Sequence, residues 1–160
     1  MEVIGAANGI TVMDDFAHNP DKIAATFSAL NDFPGRVLAL FQIHGYGPLR
    51  LMHKEMAETF RQFMTPEDRL YIPEVLYLGG TTDTSFTARD FVAELVELGL
   101  SAEWFERRED IVPRLVAEAA PGDRIIVMGA RDDTLTRTAR DILAGIESRA
   151  PGSAVTAARL

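Results

Sequence analysis

Residues 11–23 read TVMDDFAHNPDKI, which divides into a short apolar run from Thr11 to Met13, a polar junction from Asp14 to Pro20, and the opening of a helix. Asn19 can cap free amides at that helix start, and Pro20 takes the first helical position, where a missing N–H costs nothing. Ile23, Phe27 and Leu30 then share one face at helical spacing. If the unit of strand, polar junction and helix recurs, it decides the fold.

It does recur. Further short apolar runs are Val37 to Phe41, Leu70 to Ile72, Ala102 to Phe105 and Ile125 to Met128, with Val3 to Gly5 as an extra edge strand. The runs at Val37 and Ile125 are apolar throughout, as expected of strands covered on both faces. The segments between them carry helical periodicity. A second helix presents Met52, Met56, Phe60 and Phe63; a third starts on the capping box Thr87 to Asp90, presents Phe91, Leu95 and Leu98, and stops at Gly99. A fourth uses Ile111, Leu115 and Ala119, with Pro113 in its first turn, and a fifth uses Leu135, Ala139, Ile142 and Ile146. The alternation predicts an α/β domain of three layers, a mostly parallel sheet with helices on both faces. It covers residues 1–149, followed by a flexible tail over 150–160.

Composition narrows the chemistry. A chain of 160 residues, 47% hydrophobic and 25% charged, suits one folded domain. With a net charge of −8 and only Lys22 and Lys54 as lysines, no basic stripe exists for a nucleic-acid backbone or an anionic membrane. The absence of cysteine excludes disulfides, thiolate nucleophiles and zinc-thiolate sites. The opening MEVIGAANG lacks the basic start and apolar run of a signal peptide, so a cytoplasmic location is the expectation.

Right-handed crossovers would bring the strand-to-helix junctions to one sheet edge, where open α/β folds bind ligands. The first junction, DDFAHNP at 14–20, offers two carboxylates, an imidazole and an amide beside helix-end N–H groups. Its plainer reading is Asn19 as a cap with Asp14 or Asp15 assisting. The second, FQIHGYGPLR at 41–50, turns on Gly45, Gly47 and Pro48 around His44 and Tyr46; the plainer reading is a tight turn with Tyr46 packed and His44 solvated. The third, GARDDTL at 129–135, delivers Arg131, Asp132 and Asp133 after a buried strand, and acids there also serve as caps. His53 and Trp104 have no partners at useful spacing and read as a surface residue and a core residue. No GxxxxGK[ST], GxGxxG, GxSxG or HExxH pattern occurs, so any ATP chemistry needs a phosphate loop from elsewhere, and no metal site is expected.

Taken together these stretches resemble the carboxy-terminal domain of the Mur ligases. VIGAANGITVMDDFAHNP is similar to a family pattern close to NGxxVxDDYAHHP, FQIHGYGPLR to FQPHRYxR, and IIVMGARDD to VxxMGAGD, in the same order from about Val3 to Ile146. The resemblance is strongest to the branch that joins L-alanine to UDP-N-acetylmuramate in peptidoglycan synthesis. It implies a Rossmann-like last domain of a three-domain ATP-dependent carboxylate–amine ligase, with an upstream P-loop ATPase domain and a domain for the UDP-sugar. ATP and Mg2+ act in that complete enzyme, where a phosphorylated carboxylate is attacked by the incoming amine. The domain alone holds no catalytic residue and is expected to be inactive.

The resemblance further implies that Asp15 contacts the ATP ribose, with His18 and Asn19 supporting that loop. His44 and Tyr46 match the segment that meets the incoming amino acid or short peptide. The pattern's second histidine is Asn19 here, and its two arginines are Gly45 and Pro48, so Arg50 or Arg131, with Asp132 beside it, would take over an anionic group. Beginning almost at once from Met1, the chain looks like a domain cut from a longer protein. Three alternatives remain: a free-standing flavodoxin-like nucleotide- or partner-binding module, a ligase that recycles whole muropeptides, and a folate polyglutamate ligase, which the DDFAHNP junction disfavours.

Overall fold

The computed structural model describes residues 1–130 and 132–149, so the tail expected over 150–160, and Arg131, lie outside the described residues. The unit read at 11–23 folds as expected: β2 (Ile10–Asp15) passes through the junction into α1 (Pro20–Asn31). Asn19 is extended, and its side-chain oxygen accepts the Lys22 N–H at 3.0 Å. Ahead of it, β1 (Glu2–Ala7) pairs antiparallel with β2 across a turn in which Asn8 and Gly9 both have positive φ, 52° and 76°. That is the two-residue turn whose twist suits a hairpin.

Then follow β3 (Val37–Gln42), α2 (Tyr46–Phe63), β4 (Arg69–Pro73), α3 (Ala88–Glu97) and β5 (Ala102–Phe105). A 3-10 turn at Arg108–Asp110 leads into α4 (Ile111–Glu118), and the chain ends on β6 (Arg124–Gly129) and α5 (Asp133–Glu147). The sheet order is β1-β2-β6-β3-β4-β5, with every pair parallel except β1 and β2. Among the described residues no helix is long and apolar enough to cross a membrane.

Side chains alternate across the strands and build two cores. Ile126 and Met128 join Phe41 under α1, α2 and α3, where Phe27, Phe60 and Phe91 are fully buried. Ile125 and Val127 face the other way, towards Ile111 and Leu115 of α4 and Ala139, Ile142 and Ile146 of α5. The Thr87–Asp90 capping box is present in full. One inward-facing expectation fails: Leu98 is 45% exposed. Gly99, at φ 85°, turns the chain so that the Leu100 N–H reaches the Leu95 carbonyl and the Gly99 N–H reaches that of Val96. This left-handed cap tucks Leu100 against the core in place of Leu98.

The last strand therefore enters between two earlier ones, and α5 leaves β6 on the face opposite to α2, which leaves β3. The carboxyl ends of β3 and β6 form the switch point of the sheet, where open α/β folds have a crevice. Gly129 closes that pair: a Cβ there would stand 2.9 Å from the Gln42 carbonyl oxygen and 2.8 Å from Leu135 Cδ1. Because one of the clashing atoms is backbone, Gly129→Ala should destabilise the fold by about 1–3 kcal/mol. A lower denaturation midpoint at unchanged m-value is the expected result; an unchanged midpoint would mean that β3 and β6 can separate freely.

Candidate functional site

Three strand-to-helix junctions meet at this edge. Behind the first, Asp14 is buried and accepts a hydrogen bond from the Thr136 hydroxyl of α5. Asp15 has one carboxylate oxygen, Oδ2, fixed by the Thr26 hydroxyl of α1 at 2.5 Å, while Oδ1 lies 3.2 Å from the Met1 amine. His18 donates from Nδ1 to the Phe16 carbonyl at 2.7 Å, since a carbonyl can only accept.

At the second junction the Gln42 side chain is buried, and its amide nitrogen donates to the Ile43 and Glu74 carbonyls, both at 3.1 Å. His44 forms an isolated parallel bridge with Leu76. Gly45 then adopts φ 88° and ψ 138°, a backbone conformation open in practice to glycine alone, before Tyr46 begins α2. The Tyr46 ring packs edge-on against Tyr77 at 5.3 Å. Burial and the nearby Glu74 carboxylate push its phenol above the ordinary value. Arg50 pairs with Asp83 at 2.7 Å on the exposed surface.

The third junction leads from β6 into α5. Asp132 caps α5, its Oδ1 accepting the Thr134 N–H at 2.9 Å and hydroxyl at 2.6 Å, while Oδ2 meets Arg108 at 3.2 Å. Arg108 also reaches Gln42 Oε1 at 3.5 Å and the Thr134 hydroxyl at 2.6 Å, which ties the third junction to the second. Desolvation raises the Asp132 carboxyl, but the Thr134 hydrogen bonds and the Arg108 charge outweigh it and hold the group below the usual aspartate range.

Between the junctions lies a cleft of about 330 Å³. His18, Gln42, His44 and Ala130 come from the three junctions, while Leu49, Met52 and Met56 of α2 supply an apolar floor. Of the residues singled out in the sequence, His18 and His44 are brought together here. Asp15, Asn19, Tyr46, Arg50 and Asp132 stand around the same edge without lining the cleft, and Arg131 lies outside the described residues. Arg108 was invisible to the sequence reading because it follows β5, at a junction with no glycine or motif to mark it. His53, expected at the surface, is instead largely covered and pairs with Glu94 at 2.6 Å against the Phe86 ring, while Trp104 packs against the core as expected and its indole also donates to Glu74 at 3.0 Å. Among the described residues no cluster of His, Asp and Glu forms a metal-binding set.

A family model, described as Mur ligase, glutamate ligase domain, matches residues 1–131. The chain belongs to the Mur ligase family. It is 34% identical over 130 residues to the UDP-N-acetylmuramate–L-alanine ligase of Lachnospira eligens, covering 80% of this chain and 27% of that one. This Mur ligase domain thus spans little more than a quarter of the length of that relative. Among solved structures, a domain from a Haemophilus ducreyi protein described as a UDP-N-acetylmuramate:L-alanyl-gamma-D-glutamyl-diaminopimelate ligase is similar with a TM-score of 0.62 and 25% identity, covering 91% of this chain and 98% of that one. The UDP-N-acetylmuramate–alanine ligase of Thermotoga maritima shares the fold, with a TM-score of 0.65 and 20% identity over 91% of this chain and 29% of that one.

Because Asp132 is held ionised in the folded Mur ligase domain, its contribution to stability is present above the ordinary aspartate range and lost as pH falls through its depressed value. The stability difference between wild type and Asp132→Asn should therefore shrink on acidification, as followed by denaturant unfolding from neutral to acid pH. A difference that stays constant would show that Asp132 acts here without its charge.

Proposed function

We propose that this chain is the carboxy-terminal domain of an ATP-dependent ligase that joins an amino acid to UDP-N-acetylmuramate in peptidoglycan synthesis. The observation that carries the reading is the convergence of the junctions after β2, β3 and β6 on one sheet edge, with His18, His44 and Ala130 in a single cleft. Positioning and charge neutralisation dominate this class of chemistry, and both are tasks that a closing domain can supply. ATP, its Mg2+ and the phosphate loop belong to the upstream part of the enzyme, since no GxxxxGK[ST] pattern occurs in this chain.

Asp15 is the residue suited to the ATP ribose. Thr26 fixes one oxygen of its carboxylate at 2.5 Å, and the other would accept from a ribose hydroxyl. His18 and Asn19 shape the loop beside it, His18 through the Phe16 carbonyl and Asn19 through the helix cap. His44 and Tyr46 stand at the acceptor side, with Arg50 and Asp132 as polar groups at the same edge. Arg50 reaches an acceptor only by leaving Asp83. A second reading, the ligase that adds a whole peptide, is favoured by the likeness to the Haemophilus ducreyi domain over nearly all of its length. Assaying single amino acids beside the L-alanyl-gamma-D-glutamyl-diaminopimelate peptide separates the two.

Two outcomes are expected. The 160-residue chain alone neither hydrolyses ATP nor forms amide bonds, and steady ATP-dependent ligation by the purified chain would overturn the domain reading. In the complete ligase, Asp15→Ala loses a charge-assisted hydrogen bond worth on the order of 1.5–3 kcal/mol, so the KM for ATP should rise roughly 10- to 150-fold. A normal KM with reduced thermal stability would leave Asp15 as a brace for α1 through Thr26.

A further inference from the structure

Arg108 stands apart from the other polar groups at the carboxyl end of the sheet. Those groups serve their own junctions: Asn19 caps α1, Thr87 caps α3 and Asp132 caps α5. Arg108 belongs to the turn that follows β5, at the far side of the sheet, with β3 and β4 standing between β5 and β6. Yet it reaches both β3 and the junction after β6. Its Nη1 donates to Asp132 Oδ2 at 3.2 Å and to Gln42 Oε1 at 3.5 Å, and its Nη2 donates to the Thr134 hydroxyl at 2.6 Å.

These contacts leave their partners one arrangement. Gln42 is buried, and its amide nitrogen is committed to the Ile43 and Glu74 carbonyls. Turning that amide over would set its oxygen against two carbonyls and its N–H groups against the guanidinium, so Arg108 and the carbonyls together fix its orientation. Asp132 divides its oxygens, Oδ1 capping α5 through Thr134 and Oδ2 meeting Arg108. The side chains of Arg108 and Asp132 are 16% and 13% exposed, so the pair is screened far less than one at the open surface. Without Arg108 the α5 cap would persist, but Asp132 Oδ2 and Gln42 Oε1 would lose the donor that both share.

The guanidinium acts from behind the site. Arg108 is not among the described residues that line the cleft of His18 and His44; it opens on a separate groove between α4 and α5, beside Val112, Pro113 and Thr138. It therefore braces the carboxyl edge without lying in the path of a ligand there. In chemistry that rests on orientation, a displacement of about 1 Å costs on the order of 10²-fold in rate. One planar group meeting three oxygens suits arginine, since a lysine ammonium is a point charge without that fork.

We propose that Arg108 is a positioning residue of the ligation: from the β5–α4 turn it fixes the β6–α5 junction against β3, and turnover depends on that fixed spacing. This rests on the ligase reading and adds to it a residue from outside the three junctions. The junction after β2 is braced separately, Asp15 through Thr26 of α1, so nucleotide affinity is independent of Arg108.

The test compares Arg108→Ala and Arg108→Lys with wild type. In the 160-residue chain, NMR should show the Gln42 side-chain amide and the Ala130 backbone amide displaced in both variants, with the Asp15 and Thr26 signals unmoved and the helical circular dichroism retained. In the complete ligase, kcat should fall by about 10- to 100-fold in both variants while the KM for ATP keeps its wild-type value. An arginine that only stabilised the fold would lower the denaturation midpoint and leave kcat intact well below it. Wild-type kcat in Arg108→Ala, full recovery of kcat in Arg108→Lys, a KM for ATP that rises with the loss of turnover, or unmoved Gln42 and Ala130 signals would each overturn the proposal and leave the ligase reading intact. Should Arg108→Ala fail to fold, Arg108→Lys, which keeps the charge and an aliphatic stem, decides by the same kcat. Displaced Gln42 and Ala130 signals in a complete protein that ligates no amino acid or peptide would instead overturn the ligase reading, and with it the role of Arg108 in turnover.

Discussion

The close approach of Gly129 to Gln42 is the constraint on which the site depends. β6 is the last strand along the chain and lies between β2 and β3 in the sheet. At its carboxyl end only a residue without a Cβ lets the strand lie against the Gln42 carbonyl and under Leu135. Once it is seated, the junctions after β2, β3 and β6 share one edge, and the helices that follow β3 and β6 leave on opposite faces. The crevice is the consequence of that divergence rather than of any local motif.

The two edges of the sheet are built for different tasks. At the amino edge, Glu118 gathers the Tyr71 hydroxyl at 2.6 Å, Arg69 at 2.9 Å and Arg114 at 2.7 Å, while Arg36 pairs with Asp123 at 2.6 Å. Burial and that carboxylate drive the Tyr71 phenol far above its ordinary value, so it stays a neutral donor. Buried Asp68 adds two backbone bonds of 2.7 Å, to Val37 and Thr65. Such a satisfied network holds its members in one arrangement. The carboxyl edge is more sparsely tied, chiefly through Arg108 and the caps, and leaves imidazoles and an apolar floor accessible to a ligand.

At Gly45 a departure from the family pattern becomes a structural statement. The substitution of the pattern's arginines by Gly45 and Pro48 removes two guanidinium groups, and the backbone then uses a conformation that an arginine would not readily occupy. The Gly45 N–H goes to the Leu76 carbonyl, drawing the loop after β4 alongside, and the Tyr46–Tyr77 ring contact and the Arg50–Asp83 pair hold it there. A loop that could have presented cations instead presents a proline and the apolar side of α2.

Periodicity and caps made the elements legible from the sequence by itself. Asn19 before Pro20, the Thr87–Asp90 box and the all-apolar runs at Val37 and Ile125 each report a local energetic preference, and each became the expected element. Family membership was likewise carried by short contiguous stretches. What a linear reading could not determine was where side chains separated along the chain would meet. Arg108 binding Gln42 and Asp132, His53 binding Glu94, Trp104 binding Glu74, and Leu100 burying in place of Leu98 all depend on how strands and helices stack, or on which way a cap turns. The sequence by itself determined the strand–helix units and the polar junctions. Only the tertiary structure decided which junctions share a cleft, because inserting β6 between β2 and β3 joins residues that lie more than a hundred positions apart in the chain, such as His18 and Ala130.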